Sequence, residues 1–346
     1  MNKIKKFIYY GFAFVHHKDT MGGYHNIKNF ITYDITIDLQ TEKYFFDVTL
    51  KKYLLFKVFR KIYFLIFKKI GFLSIIRCSF LAVFKRNHVF HFIYPENTYR
   101  WIHKIKNSTN KVIFTFHQPA SYFENSKKWS NIIKNIDAII ILNRSDFNFF
   151  KSLTKKNNVF LIPHGINTNF FTIDKKIKKE NRILMVGNWL RNFELARNIF
   201  IKLNNKFPDI IIDLVINSEN EIYFKDINVQ FHKNISNLDL KLLYQKSKIV
   251  FFPLVDFTAN NAMLEAMACG TNILVATDKC FSDTDEIYKF ITLVPNNDSI
   301  VYDKIIELLI RPENNDLFYF EMNQYCKNNY SWDIVAEKTT KLMNTL

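Results

Sequence analysis

Short apolar runs alternate with longer mixed segments from one end of the chain to the other, and this alternation predicts the fold class. Most of the runs are continuously apolar, which is typical of parallel strands covered on both faces. The predicted strands are residues 7–15, 89–93, 112–116, 138–142, 159–162, 183–186, 210–216, 229–231, 249–252 and 273–276. Helical patterns occupy residues 27–39, 144–153, 192–207, 238–246, 261–269, 298–309 and 331–343. Strand-helix alternation of this kind predicts a doubly wound α/β fold.

Ten strands are too many for one small domain, and a charge-dense break at residues 172–181 separates them into two groups. We therefore predict two Rossmann-like domains that face each other across a cleft. The predicted bounds are residues 1–170, residues 171–329, and a closing helix at residues 330–346 that crosses back to the N-terminal domain. In such folds ligands bind at the carboxyl ends of the strands, so the cleft is the expected site.

The composition suits a globular protein in a reducing compartment. The chain has 346 residues, of which 48% are hydrophobic, so two cores can form. Its four cysteines show neither CxxC spacing nor neighbouring histidine clusters, which favours free thiols and a cytoplasmic location. The apolar N-terminus is interrupted by His16 and His17 without a cleavage site, so we interpret it as the first buried strand instead of a signal peptide.

The net charge of +16 is unevenly distributed. Residues 48–95 contain ten Lys or Arg and no Asp or Glu, interleaved with aromatic residues. No uncharged apolar run within this stretch approaches the ~18 residues needed to span a bilayer. A basic, aromatic-rich helical stretch of this kind favours contact with an anionic membrane surface, on the inner face of the cell membrane. Two alternatives remain open at this point: a core helix with a solvated lysine face, and a nucleic-acid site. The chain contains no recognisable nucleic-acid module, so nucleic acid is not expected as a partner.

The strongest local signal is the stretch LEAMACGTNILVA at residues 264–276. It predicts a helix with the carboxylate of Glu265 on its first turn, a C-terminal cap at Gly270 and a buried strand. A carboxylate there could accept two hydrogen bonds from a ribose diol, or could simply be a favourable charge near a helix N-terminus.

These residues resemble the signature of the family 4-type (group 1) retaining glycosyltransferases, which have the GT-B fold. Four other segments resemble parts of that family in the same order: TFHQPASYF at residues 115–123, IPHGINTNFF at 162–171, ILMVGNWLRNFE at 183–194 and YSWDIVAEK at 330–338. The resemblance runs from about residue 7 to the C-terminus, with no counterpart for residues 44–84. The LEAMACG stretch is fairly specific, and the other segments gain weight from their order.

The resemblance implies a hexosyltransferase-type enzyme that moves a sugar from a nucleotide-sugar donor to an acceptor hydroxyl. The basic, aromatic-rich stretch adds the hypothesis of a glycan or lipid-linked acceptor in bacterial surface-polysaccharide assembly. The resemblance also implies retention of configuration and no metal or other cofactor. Glu265 would hold the ribose, Arg191 the phosphates, and His117 the transferred sugar. The remaining donor contacts would come from Gly22, Gly23, Gly187, Asn188, Asn260, Asn261 and Ala262. From their position after the second strand, Glu96 and Asn97 are candidates for acceptor binding.

Two departures from the family pattern bear on activity. Phe257 stands where members usually have a second glutamate, with Asp256 one residue earlier. The usual phosphate loop has Arg directly after Gly and a later Lys, whereas here Asn188 follows Gly187 and Arg191 is the loop's one cation. A non-catalytic GT-B subunit that binds sugar nucleotides and a nucleotide-sugar epimerase therefore stay open as alternatives. His16, His17 and His164 are weaker site candidates, and Trp189 and Trp332 are predicted to be packing residues.

Overall fold

The computed structural model describes residues 5–14, 20–40, 71–99, 101–154, 156–279, 286–311 and 316–346. Within these residues the chain forms two compact units. The first holds the described residues up to 14, then 23–163 and 335–346; the second holds 20–22 and 164–334. His16, His17 and residues 48–70 of the basic segment, which carry most of its Lys and Arg residues, lie outside the described residues.

The first unit is built on a six-stranded parallel sheet of order β2-β1-β3-β4-β5-β6. Residues Phe90 and Phe92 of the third strand are fully buried, so this strand is covered on both faces as its apolar run predicts. The strand order reverses beside β1, whose neighbours are β2 and β3. The strands are β1 (Lys6–Gly11), β2 (Ile35–Asp38), β3 (His88–Phe92), β4 (Lys111–Phe116), β5 (Ala138–Ile141) and β6 (Val159–Leu161).

Six described helices belong to this unit alone: α1 (Phe72–Phe84), α2 (Pro95–Thr98), α3 (Ile102–Ile105), α4 (Ala120–Phe123), α5 (Lys127–Ile133) and α6 (Phe147–Thr154). Their apolar residues complete one aromatic-rich core over the sheet, in which Phe116, Phe123, Trp129 and Phe150 pack together.

The second unit has its own six-stranded parallel sheet, of order β12-β11-β10-β7-β8-β9. Read from the β9 edge, the strands follow the 3-2-1-4-5-6 order of dinucleotide-binding folds, with the reversal between β7 and β10. The strands are β7 (Glu180–Val186), β8 (Ile211–Val215), β9 (Gln230–Phe231), β10 (Ser247–Pro253), β11 (Asn272–Ala276) and β12 (Ile291–Val294).

Helices cover both faces of this sheet. Tyr244 and Leu264 pack on one face, and Phe200 and Val301 pack on the other. The helices are α7 (Phe193–Lys206), α8 (Asn237–Lys246), α9 (Asn261–Ala268), α10 (Asp298–Ile310) and α11 (Asp316–Tyr330). The last helix, α12 (Trp332–Thr345), starts in the second unit and ends in the first. The predicted class, two doubly wound Rossmann-like units, is confirmed.

One predicted element is wrong. The sequence predicts one α-helix over residues 27–39. The structure instead has a short 3-10 helix at Tyr24–Asn29, followed by β2. The reason lies in Ile35, Thr36 and Ile37, whose branched side chains favour a strand and which pair in register with β1. Strand β12, the helices α2 to α5 and helix α11 were not predicted.

Candidate functional site

In the second unit, the loop that follows β7 is fastened to the end of β10, at the reversal of strand order. Gly187 has a positive φ of 101°, and its N–H donates to the carbonyl of Val215. The N–H of Asn192 donates to Pro253, and that of Val255 to Leu190. The loop at residues 187–192 is therefore held at the place where parallel α/β sheets bind ligands.

Arg191 folds its guanidinium back over this loop. Nη2 and Nε donate to the carbonyl of Val186 at 2.9 and 3.2 Å, and Nη1 donates to that of Trp189 at 3.0 Å. A Cβ at Gly187 would stand 2.7 Å from Nη2, so glycine is required for this arrangement. The guanidinium also lies 5.5 Å from the ring centroid of Phe252. Partial burial lowers the pKa of Arg191 to about 10, which leaves it charged at neutral pH.

No carboxylate among the described residues forms an ion pair with Arg191; its partners are carbonyl and amide oxygens. A half-buried cation without a counter-ion is costly unless an anion binds beside it. The site is therefore suited to phosphate groups.

Asn260 connects this cation to the start of α9. Its Oδ1 accepts from the N–H of Met263 at 3.3 Å and from Arg191 Nη2 at 3.5 Å. Its Nδ2 is buried and makes no hydrogen bond within the described part of the chain. Asn261 and Ala262 form the first turn of α9, and Asn192 caps α7 directly after Arg191. Two helix N-termini, both favourable to anions, thus begin beside one guanidinium.

Glu265 is the fifth residue of α9, and the prediction that it lies in the first turn is wrong. The helix begins at Asn261, as predicted, because the side chain of Asn260 caps it, and Glu265 therefore lies just beyond the first turn. Glu265 is buried, and its Oε2 accepts from the hydroxyl of Tyr244 at 3.1 Å. Burial raises the pKa of Glu265 to about 8, and the hydrogen bond from Tyr244 opposes this shift. Beyond the C-terminus of α9, Gly270 follows the C-cap residue Cys269, and its φ of 71° matches the predicted cap.

Asn188 is engaged within the protein. Its Oδ1 accepts from the N–H of Asn217 at 2.6 Å and from the side chain of Asn220 at 3.0 Å. It therefore ties the loops after β7 and β8 together. The neighbouring Trp189 is 64% exposed, so the prediction that it is a packing residue is wrong. The positive φ angles on both sides of it, at Gly187 and Leu190, turn its side chain toward solvent.

Phe257 and Asp256, the positions that depart from the family pattern, occupy the end of the β10 loop. Phe257 is buried, and its ring lies 4.8 Å from Lys279 Nζ. Asp256 forms an ion pair of 2.6 Å with the same lysine. The carboxylate of Asp256 is thus neutralised within the unit and does not simply replace a glutamate at position 257.

In the first unit the structure joins two residues that the sequence suggested for different roles. Glu96 Oε1 accepts from the backbone N–H groups of both His117 and Gln118, so it holds the loop after β4. The ring of His117 packs against Tyr94 and Tyr24, at centroid distances of 4.3 and 4.8 Å. Burial raises the pKa of Glu96 to about 7, and its Oε2 is buried without a partner among the described residues.

The other predicted positions have different surroundings. Gly22 and Gly23 precede the short 3-10 helix instead of the predicted α-helix, so the expected anion-binding helix N-terminus is not found there. Asn97 is exposed on α2. His164 is buried, and its Nδ1 lies 2.6 Å from the carbonyl of Gly165. The buried ring of Trp332 fills the space that a Cβ at Gly165 would need, which confirms Trp332 as a packing residue.

Tyr244 is the site residue that the sequence did not reveal. It lies 21 positions before Glu265, and its place on the buried side of α8 gives the appearance of an ordinary core tyrosine. Only the fold brings its hydroxyl to the carboxylate. No group of three or more metal-ligating side chains occurs among the described residues.

Comparison with known proteins shows which solved structures share the fold of this chain. No protein-family model and no curated protein matches the sequence. Among solved structures, the N-terminal domain of Candida albicans trehalose-6-phosphate phosphatase matches 99% of this chain and 98% of its own, with TM-score 0.69 and 12% identity. Sucrose-phosphate synthase from Thermosynechococcus elongatus matches 74% of this chain and 73% of its own, with TM-score 0.60 and 16% identity.

A third match is Anabaena HepE in complex with UDP and glucose, over 75% of this chain and 78% of its own, with TM-score 0.57 and 11% identity. Sucrose-phosphate synthase and HepE are glycosyltransferases of the GT-B fold. At these identities the likeness establishes the fold alone: two parallel-sheet Rossmann-like domains, which match those of GT-B glycosyltransferases.

Proposed function

We propose that this protein is a family 4-type glycosyltransferase that moves a sugar from a nucleotide-sugar donor to an acceptor hydroxyl with retention of configuration. The observation that carries the proposal is the uncompensated Arg191, which lies beside two helix N-termini at the strand reversal of the second unit. The GT-B fold supports it, and HepE, a neighbour of that fold, was solved with UDP and glucose.

In this proposal the second domain, residues 171–329, binds the donor. Arg191, the loop at Gly187 and the N–H groups at the start of α9 bind the diphosphate, while Glu265 accepts hydrogen bonds from the ribose diol. The side chain of Asn188 keeps the loop in place. Because two phosphates and a diol are all recognised by groups within one unit, donor binding is the step that the described residues explain best.

Transfer breaks the bond between the anomeric carbon and the phosphate oxygen, and the nucleoside diphosphate leaves with the electron pair. A fixed guanidinium and fixed N–H dipoles stabilise the charge that develops on the leaving oxygen, which lowers the barrier. The acceptor hydroxyl attacks from the same face, forms the new bond to the anomeric carbon and passes its proton to the departing phosphate oxygen. This scheme uses charges that the protein itself supplies, so we expect activity without a metal ion or other cofactor.

We assign the acceptor to the first domain, residues 1–170, with residues 330–346 as the closing helix. His117, Glu96 and Asn97 are its proposed site residues, and His117 would contact the transferred sugar. We further propose a glycan or lipid-linked acceptor on the cytoplasmic face of the cell membrane, in surface-polysaccharide synthesis. The buried Phe257 and the neutralised Asp256 favour a second candidate, a GT-B subunit that binds the sugar nucleotide without transferring it.

The test is a thermal-shift screen with UDP-, GDP-, ADP- and CMP-sugars. A true donor raises the melting temperature because it binds the folded state, and Glu265→Ala should remove that rise. Glu307→Ala, the same change at an exposed ion-paired position of α10, is the matched control and should keep it. No shift with any of the four nucleotides, or a full shift in Glu265→Ala, would contradict the donor site.

Release of free nucleoside diphosphate from the selected donor separates the two candidates. An active transferase hydrolyses some donor with water as acceptor, whereas a binding subunit shows the thermal shift and no release.

A further inference from the structure

Helix α1 of the first unit is apolar on two opposite faces. One face is buried in the core through Ile75, Cys78, Leu81 and Ala82. The other is exposed to solvent, where a surface helix normally carries polar residues. The exposed apolar residues recur at helical spacing and are between 40% and 68% accessible: Leu73, Ile76, Phe80, Val83 and Phe84.

These residues form one continuous surface, which we call the α1 outer face. The rings of Phe80 and Phe84 lie 4.8 Å apart. Trp101, 39% exposed, borders the face, because its Nε1 donates to Ser79 Oγ at 3.2 Å. An indole with an apolar body and a bonded polar edge is typical of the boundary between water and lipid headgroups.

Four cations that form no ion pair among the described residues lie on α1, just after it or on the helix packed beside it. Arg77 lies on the same side of the helix, Lys85 and Arg86 follow its C-terminus, and Lys104 lies on α3 next to it; all four are exposed. The described lysine ion pairs of this unit use Lys28, Lys106 and Lys111 instead. Residues 48–95 contain no acidic side chain that could offset this charge.

We propose that the α1 outer face binds an anionic lipid bilayer and lies flat in its headgroup region. Apolar side chains would enter the acyl boundary while the four cations contact lipid phosphates. A helix of 13 residues is about 20 Å long, which suits lying in the interface better than crossing it. None of the described helices is long and apolar enough to span a membrane.

Charge favours lipid over a second copy of the chain. A symmetric dimer through this face would place the same patch against itself and bring the cations of both copies together. An anionic surface is complementary to both the apolar and the charged groups. This inference stands on the surface of the first unit and does not depend on the donor chemistry.

Flotation with vesicles tests the proposal on the full chain. We expect binding to vesicles of equimolar phosphatidylcholine and phosphatidylglycerol, and little binding to pure phosphatidylcholine. The double variant Ile76→Gln/Phe80→Gln should lose at least about tenfold in binding, because two large apolar side chains no longer enter the bilayer. Its matched control is Ile310→Gln/Leu317→Gln, which changes two exposed apolar residues of the second unit and should bind like the unmodified protein.

Charge is tested with a second pair of variants. Lys85→Gln/Arg86→Gln should weaken binding by about fivefold for each cation. Lys127→Gln/Lys128→Gln, at exposed positions on α5, is the control with equal charge change. Quenching of Trp101 by brominated lipid, measured as the difference from Trp101→Phe, should show that the indole enters the interface.

Several outcomes would overturn the proposal: patch variants that float normally, unquenched Trp101, or a dimer that the patch variants convert to monomer. Retention of the nucleotide thermal shift in Ile76→Gln/Phe80→Gln would show that the variant is folded, so that lost flotation reports on the surface itself. Loss of flotation with a normal thermal shift supports the α1 outer face as the bilayer-binding surface. If the unmodified protein shows no thermal shift with any sugar nucleotide, that result counts against the donor site alone.

Discussion

The two units have the same type of sheet, but the side chains near their strand ends carry opposite charges. In the second unit the central side chain is a cation, Arg191, bound by backbone carbonyls. In the first it is a carboxylate, Glu96, bound by backbone N–H groups. Each charge is held by the chain itself, and neither has an ionic partner among the described residues. The comparison teaches that both doubly wound sheets hold a charged side chain at the carboxyl ends of their strands. The loop residues after those strands determine whether that charge is positive or negative.

The difference extends to what surrounds each charge. Arg191 has helix N-termini beside it, which add positive potential and suit a diphosphate. Glu96 lies with His117 near the rings of Tyr24 and Tyr94, which offer apolar surface and suit an uncharged sugar or acceptor. We therefore expect one unit to bind the anion and the other to bind hydroxyl groups, and this expectation can be tested one unit at a time.

The largest effect is expected from Arg191→Gln, which removes the one cation of the loop at residues 187–192, the proposed diphosphate site. Charge-assisted hydrogen bonds contribute about 1.5–3 kcal/mol each, so donor affinity should fall about ten- to hundredfold. Isothermal titration with the donor found in the thermal-shift screen measures this. Arg197→Gln, which removes a partly exposed, Asp226-paired cation on α7, the helix that follows the loop, is the control and should bind normally. Equal losses in both variants would mean that overall charge, and not the site, governs binding.

Next in size is Glu96→Ala, which leaves the N–H groups of His117 and Gln118 without their acceptor. We expect about 2 kcal/mol less stability and donor hydrolysis slower by about tenfold, because His117 loses its fixed position. Donor affinity should not change, since the second unit is intact. Glu96→Gln keeps an acceptor oxygen and should restore most of the hydrolysis rate. If donor affinity fell as well, the assignment of separate roles to the units would be wrong.

The sequence predicted the sheets better than the site. All ten predicted strands coincide with observed ones, because buried parallel strands are continuous apolar runs that few other elements imitate. The short strand β2 was missed because its four residues continue a segment whose spacing also fits a helix. Strand β12 is partly exposed, so it lacks a fully apolar run.

Within the site, residues adjacent to a motif could be predicted and residues brought by the fold could not. Gly187 follows directly after β7, and Arg191 and Asn260 lie in the loops after β7 and β10, where position along the chain indicates position in space. The side chain of Tyr244 reaches Glu265 from a different helix. Nothing local in the sequence distinguishes it from any other buried tyrosine, and the raised pKa of Glu265 is equally a product of burial in the fold.

That raised pKa gives a pH prediction confined to the second unit. If the ribose diol donates to ionised Glu265, donor binds best above the pKa of about 8 and weakens as the carboxylate protonates below it. Affinity should therefore rise severalfold between about pH 7 and pH 9, with a ceiling of about tenfold set by the ionised fraction. Titration across this range with a sugar nucleotide, whose phosphates do not titrate there, measures the slope. Glu265→Gln should abolish the slope, and Glu307→Gln should retain it.

The smallest effect is expected from Tyr244→Phe, which deletes one hydroxyl and leaves the ring in place. The hydrogen bond from Tyr244 lowers the pKa of Glu265, so its loss should move the rise in affinity to higher pH. At neutral pH we expect about threefold weaker donor binding, the size of one neutral hydrogen bond. Tyr302→Phe, at a partly buried position on α10, is the matched control. A weaker affinity with an unmoved pH profile would mean that Tyr244 only supports packing, whereas a shifted profile identifies it as the residue that positions the carboxylate.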